Sequence, residues 1–167
     1  MSAYQLHVNA AELLREPGLH RHVDVTVAPQ SIDAEHAAIN GDVSADLELV
    51  STLDDVALSG TVRVPWQGSC RRCLRPLEET VVVDVDERYA ERTAEHGEAF
   101  PIEHGQIDLT PVLREHVLLA VDDARLCRPD CPGLCPVCGA DLAAGPCRCD
   151  TAVADERWSV LDQLRNP

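Results

Sequence analysis

Eight cysteines in 167 residues fall into two blocks, and this clustering constrains the fold more than any other feature. The first block is Cys70-Arg71-Arg72-Cys73. The second runs Cys127, Cys131, Cys135, Cys138, Cys147 and Cys149, with three, three, two, eight and one residues between successive thiols. A Cys-x2-Cys turn brings two thiolates from one tight bend to the same ion, and Zn2+ takes four of them at about 2.3 Å in a tetrahedron. In Cys135-Pro136-Val137-Cys138-Gly139, Pro136 fixes φ just after the first ligand. Gly139 can take the positive φ that turns backbone N–H groups toward sulfur. All eight cysteines are therefore candidate zinc ligands.

Eight thiolates are enough for two four-thiolate sites. The simplest partition joins Cys70 and Cys73 to Cys127 and Cys131, leaving Cys135, Cys138, Cys147 and Cys149. One residue between Cys147 and Cys149 is tight for two ligands on one ion, so one zinc with spare thiols stays open beside two. Cys131-x3-Cys135-x2-Cys138 also has the spacing that holds a [4Fe–4S] cluster in radical enzymes. Only 29 residues follow Cys138, however, too few for the barrel those enzymes require. A structural iron–sulfur cluster held by cysteines alone is a further alternative. Redox catalysis at Cys70-x2-Cys73 would want a thioredoxin-like βαβ setting, whereas this turn lies between strand-like segments.

Compartment and charge narrow the choice. Met1 to His7 has no basic or apolar signal region, and no apolar run approaches the roughly 18 residues of a membrane span. The expected location is cytoplasmic, with no membrane partner, where thiols stay reduced and bind metal more readily than they form disulfides. With 14 arginines, no lysine and 29 acidic residues, the net charge is −15. That charge opposes a generic nucleic-acid coat, which needs surplus cations to neutralise phosphate. Half the arginines accompany the cysteines: Arg63, Arg71, Arg72, Arg75, Arg125, Arg128 and Arg148. Arg71, Arg72, Arg75, Arg128 and Arg148 could offset the net negative charge of a tetrathiolate zinc. Alternatively they form a local basic patch that touches RNA phosphate. The seven histidines are scattered; His20 and His22 could ligate a metal, but no spacing links them to the cysteines. His116 reads as a hydrogen-bonded core residue.

The rest of the chain predicts an α+β protein, an antiparallel β core with a packed helix and a C-terminal Cys-rich zinc module. Asn9 with Glu12 three residues on resembles a capping box for a helical turn that ends at Pro17-Gly18. Strand periodicity follows over Val23–Val27, Val43–Leu49, Val56–Trp66 and Thr80–Tyr89. Aromatics are only 3% of the chain, so aliphatic side chains must fill the core. Glu91 to Gln106 reads as a polar loop. A helix over residues 110–121 is signalled by Thr110 as cap, Pro111 at the first turn, and Val112, Leu113, His116, Val117 and Ala120 on one face. Residues 1–121 form the expected core. Residues 122–167 form the zinc-binding segment with a short helix over Ala154 to Leu164, packed on the core as one unit.

Several strings resemble the YceD-like family, the domain of unknown function numbered 177. They are Asn9-Ala10-Ala11-Glu12-Leu13-Leu14-Arg15-Glu16-Pro17-Gly18, Cys70-Arg71-Arg72-Cys73-Leu74-Arg75-Pro76, and Gln106-Ile107-Asp108-Leu109-Thr110-Pro111-Val112-Leu113-Arg114-Glu115. To these add Cys131-Pro132-Gly133-Leu134-Cys135-Pro136-Val137-Cys138-Gly139, the most specific, and the late Asp155-Glu156-Arg157-Trp158. The resemblance implies a non-enzymatic cytosolic ribosome biogenesis factor that supports accumulation of large-subunit (23S) rRNA. The acidic charge suits an indirect route through a basic ribosomal protein or a pre-50S ribosomal particle, by complementary fields. Direct rRNA contact would have to use the arginine-bearing turns. The rival class is an enzyme, a zinc-dependent hydrolase or a thiol oxidoreductase. A catalytic zinc keeps an open coordination position and usually fewer thiolates.

Overall fold

The structure, a computed structural model, describes residues 6–92, 99–122 and 124–149. The chain forms two compact units: Met1–Gly68 with Leu77–Asp123, and Ser69–Pro76 with Ala124–Pro167. The architecture is antiparallel-rich β sheet with a packed helix and a Cys-rich module, so the α+β class holds.

In the first unit, period-two alternation becomes strands as expected. β1 (His7–Asn9) leads into a one-turn helix α1 (Ala10–Leu13), then β2 (His20–Val27), β3 (Val43–Ser51), β4 (Val56–Ser69) and β5 (Pro76–Ala90). Two short strands follow, β6 (Phe100–Pro101) and β7 (Gln106–Asp108), and then helix α2 (Thr110–Leu119). The large sheet has the order β2-β3-β4-β5-β6, and β1 pairs with β7 in a separate ribbon. β2–β3 and β3–β4 are antiparallel, and the two-residue contact of β6 with β5 is parallel. Register puts Leu49 opposite Leu58 and Ala45 opposite Val62. Those residues, with Val43, Leu47, Val56 and Val64, are buried in an aliphatic core that also takes Val112, Leu113 and Val117 of α2.

Gly60 stands where the sheet backbone leaves no room for a side chain. Gly60 sits opposite Leu47 with φ +149°, and a Cβ there would lie 2.2 Å from the Asp46 carbonyl oxygen. The strands approach more closely here than any side chain allows.

Three local expectations are corrected. The Asn9 carboxamide does accept the Glu12 N–H at 3.3 Å, but Thr110 does not cap α2. Its own N–H is taken by Asp108 Oδ1 at 2.9 Å, so the acceptor comes from two residues earlier. Pro111 sits in the first turn, and α2 stops at Leu119 rather than at residue 121, with Ala120 as its C-cap. The segment read as a loop through Gln106 contains β6 and a tight hairpin turn. Glu103 and Gln106 exchange backbone hydrogen bonds of 3.1 and 2.8 Å, with His104 and Gly105 at φ +52° and +71°. Two consecutive positive φ values are the signature of a type I′ turn, whose twist matches the flanking strands.

Polar side chains tie the elements together. His116 is buried; its Nδ1–H donates to the Val112 carbonyl at 3.0 Å while Nε2 lies 3.6 Å from Glu87. The buried Asp55 carboxylate accepts from Arg88 Nη1 at 2.8 Å and from Thr52 Oγ1 at 2.6 Å, joining the β3–β4 turn to β5. Among the described residues no helix is long and apolar enough to cross a membrane. The helix expected over residues 154–164, with Trp158, lies outside the described residues.

Candidate metal centre

The second unit contains all eight cysteines. Cys70, Cys73, Cys127 and Cys131 converge in one group, and Cys135, Cys138, Cys147 and Cys149 in another, the sulfurs of each lying within 4.8 Å of one another. All eight are free thiols.

The distances fit a tetrahedral ion. Four sulfurs each 2.3 Å from a common centre stand about 3.8 Å apart, whereas a disulfide needs about 2.05 Å. Cys70 and Cys131 Sγ are 3.8 Å apart, and Cys73 and Cys127 Sγ 3.7 Å. Both groups could hold a metal ion. The single residue between Cys147 and Cys149 does not keep them from the same group.

Two turns in this unit have the same backbone. In the first, Leu74 N–H donates to the Cys70 carbonyl at 2.8 Å and Cys70 N–H to the Arg75 carbonyl at 2.8 Å. In the second, Gly139 N–H donates to the Cys135 carbonyl at 2.9 Å and Cys135 N–H to the Ala140 carbonyl at 2.8 Å. The residue after the second cysteine is left-handed in both: Leu74 at φ +58° and Gly139 at φ +72°. Glycine adopts this conformation freely, while leucine does so at a cost of order 1–2 kcal/mol.

The link between the two groups depends on another glycine. Gly133, at φ +79°, lies against Arg72, where a Cβ would come within 3.0 Å of the Arg72 carbonyl oxygen. That carbonyl accepts the Leu134 N–H at 3.1 Å, and the Arg72 guanidinium donates to the Cys131 carbonyl at 2.9 Å. Leu134 in turn bridges to Asp141. The Cys-Pro-Gly-Leu-Cys string thus clamps the 70–73 turn with its backbone as well as with its thiols.

The arginines separate by what they touch. Arg72 holds the Cys131 backbone. Arg75 lies 3.8 Å from Asp141, and Arg128 3.4 Å from Asp130. Arg71 and Arg148 are exposed, and Arg71 N–H donates to the Arg125 carbonyl at 3.0 Å. Arg63 does not belong with this set, because it lies on β4 in the first unit, opposite Ser44.

Electrostatics within each group favour one ionised thiol, Cys70 or Cys135, and oppose two others. Burial raises the Cys70 thiol, but backbone hydrogen bonds from Cys127, Cys73 and Arg72 outweigh it and bring it down to about 6. Backbone hydrogen bonds from Cys138 and Val137, and the Cys147 side chain, bring Cys135 down to about 6 as well. Hydrogen bonding with Cys131, followed by burial, pushes Cys127 up to about 12. Cys149 is likewise pushed up to about 12, chiefly by Cys138 and then by burial. Burial raises Cys131 against an opposing hydrogen bond from Gly133. Cys147 also ends above the usual thiol range: a backbone hydrogen bond from Cys149 lowers it, but Cys135 and burial raise it further. Four thiolates this close repel one another, and a divalent cation is what would allow all four to ionise.

A third group, His22, Asp24 and Asp46, stands on the outer face of β2 and β3. All three side chains are exposed, and His22 Nδ1 lies 3.8 Å from Asp46. Their exposure keeps them hydrated and screened, and we assign them no ion. Sequence reasoning missed the Asp55–Arg88 pair. Its partners are 33 residues apart, and nothing local in Asp54-Asp55 distinguishes a buried carboxylate from a solvated turn.

Comparison with known proteins places the chain in a family. A family model described as large ribosomal RNA subunit accumulation protein YceD matches residues 58–165. An uncharacterised protein of Mycobacterium tuberculosis is 35% identical over 174 residues, covering 99% of this chain and 84% of that protein. An uncharacterised protein of Mycobacterium leprae is 30% identical over 131 residues, covering 75% of this chain and 60% of that protein. A chloroplastic protein of Arabidopsis thaliana, named large ribosomal RNA subunit accumulation protein YCED homolog 1, is 24% identical over 156 residues. That match covers 74% of this chain and 48% of the plant protein. No solved structure matches the chain. The family match spans the strand before the first cysteine turn through the last cysteine pair, and the chain belongs to the YceD family.

Proposed function

We propose that this protein is a non-enzymatic ribosome biogenesis factor that supports accumulation of large-subunit rRNA, with two zinc ions holding its Cys-rich unit. Family membership carries the ribosomal role. The metal reading is supported by eight free thiols grouped four and four within 4.8 Å, two pairs of the first group standing 3.8 and 3.7 Å apart. Zinc fits an all-sulfur tetrahedral set, and four thiolates leave no open position for substrate, which favours a structural ion over a hydrolytic one. In the cytoplasm, such a site is filled by metal rather than oxidised.

The partner follows from charge. At −15 the protein repels nucleic acid in general and attracts a basic protein, so the route to rRNA runs through a ribosomal protein or a pre-50S particle. Direct rRNA contact keeps one supporting observation, the exposure of Arg71 and Arg148 in the cysteine unit. Affinity purification from cells with and without RNase separates the routes. Large-subunit ribosomal proteins retained after RNase are the expected result. Loss of every partner would transfer the reading to RNA, and normal large-to-small subunit RNA ratios in cells lacking the protein would remove the ribosomal role.

A further inference from the structure

The first unit carries a groove that neither the core nor the cysteine sites use. Two clefts of about 420 and 560 Å3 meet along it and share Phe100, Asp108 and Pro111. Such volumes are on the scale of ligand sites. One wall is a face of α2. Val112, Leu113, His116 and Val117 bury the opposite face in the core, while Pro111, Arg114, Glu115, Leu118 and Leu119 line the groove at helical spacing. Leu119 is 70% exposed and Leu118 half-buried, so this face offers apolar surface that the core does not need.

The groove's formal charge is mostly negative. Its lining includes Asp33, Glu103, Asp108 and Glu115 against one guanidinium, Arg114. Arg114 Nε is committed to the Asp33 carbonyl at 3.0 Å. Asp108 is partly committed too, with one carboxylate oxygen on the Thr110 N–H at 2.9 Å. Glu103 and Glu115 are exposed. Phe100 packs against the buried Tyr89, with ring centroids 5.5 Å apart and the rings tilted by 34°, and remains half-exposed in both clefts.

We propose that this groove docks a basic protein segment with interspersed apolar residues, whose arginines or lysines meet Glu103 and Glu115 while an apolar side chain covers Leu119. The inference rests on the reading above that the partner is a basic ribosomal protein, and it names the surface that would hold it. Phosphate is the wrong ligand for a surface with four carboxylates. A wholly apolar ligand would leave those carboxylates desolvated and unpaired.

The test uses the full, metal-loaded chain and a fluorescent synthetic peptide, Arg-Leu-Arg-Arg-Leu-Arg, followed by polarisation. Glu103→Lys with Glu115→Lys should weaken binding at least about tenfold. Asp42→Lys with Asp84→Lys makes the same change in net charge at exposed positions outside the groove, and should leave binding within about twofold. Leu119→Ser, which leaves charge unaltered, should weaken binding several-fold. Glu103→Gln with Glu115→Gln repeats the test without inserting cations. Equal loss in the two charge-reversed variants would reduce the effect to a general field and overturn the groove, as would absence of peptide binding to the unaltered protein. A second arm repeats the RNase-treated purification with the Glu103→Lys, Glu115→Lys variant. Unchanged capture of ribosomal proteins would overturn the groove while leaving the ribosomal-protein reading intact. No capture by the unaltered protein would overturn that reading, and the peptide then decides the groove alone.

Discussion

The two units hold themselves together by different means. The first buries about two dozen aliphatic side chains in one core that draws on β2–β5, α2, β1, β7 and the segments between them, with Trp66 and Tyr89 fully enclosed. Among the described residues of the second, the buried side chains are sulfur: Cys70, Cys131 and Cys135, while Leu74 and Val137 are 64% and 65% exposed. A segment as short as residues 124–149, with no buried aliphatic side chain among its described residues, does not offset the conformational entropy of ordering unless something else stabilises it. Metal ligation by the two cysteine groups can supply it, and for structural zinc it is large, with apparent binding free energies of roughly 10–16 kcal/mol. The first unit should therefore be indifferent to metal and the second dependent on it.

The widest separation should come from removing metal. Chelation should expose the amides of residues 127–149 to exchange while those of β3, β4 and α2 keep their protection. Cys135→Ser with Cys138→Ser should reproduce that loss. Unchanged exchange across 127–149 after metal removal would show that its packing does not need the ion.

Acid should act on the same unit next. Cys127, Cys131, Cys147 and Cys149 are all raised in the metal-free groups, so at pH 7 they carry protons that binding must release. That makes at least two protons per site. Affinity therefore falls as pH falls through and below neutrality, by at least about 100-fold per pH unit at each site, since each released proton contributes tenfold. A competition titration with a chromophoric chelator at several pH values reads the slope. A slope near zero would mean that the thiols are not the ligands.

Glycines sharpen the comparison in either unit. Gly60→Ala places a Cβ 2.2 Å from a backbone oxygen in the first unit, a contact that strands cannot relieve cheaply. It should destabilise that unit by about 3 kcal/mol or more in urea unfolding, through overpacking and backbone strain. Gly139→Ala in the second unit meets nothing within 4 Å and should cost only about 1 kcal/mol, for its positive φ alone. Equal costs would mean that close approach is not what fixes Gly60.

The smallest expected effect comes from Leu74, the unlike member of two like turns. Its φ of +58° is strained for leucine, and its side chain is mostly exposed. Leu74→Gly should raise metal affinity or unit stability by up to about 1 kcal/mol, because the relieved strain exceeds the packing lost. A destabilised variant would assign the Leu74 side chain a contact role.

These contrasts show what the chain makes legible. Strand periodicity at Val43–Leu49 and Val56–Trp66 is local, and the register follows from which parity is apolar. Pairing thiols at two-residue spacing is local too, and Cys-Pro-Val-Cys-Gly announces its turn through Pro136 and Gly139. The first turn takes the same backbone with Leu74 where a glycine would signal it, so its geometry cannot be read from residue type. The Glu103–Gln106 hairpin is hidden because a positive φ at His104 has no apolar pattern around it. The Asp55–Arg88 pair depends on β3, β4 and β5 being assembled first. The Arg72 bond to the Cys131 carbonyl is equally non-local, and it turns one of the arginines that could have met RNA into a brace for the cysteine unit.

Native mass spectrometry of protein purified without chelator tests the central claim most directly. The account predicts two zinc ions per chain, with all eight cysteines reduced and both ions lost together with the order of residues 127–149. A mass carrying disulfides, an iron–sulfur absorption band, or a metal-free chain whose cysteine unit stays ordered would contradict it.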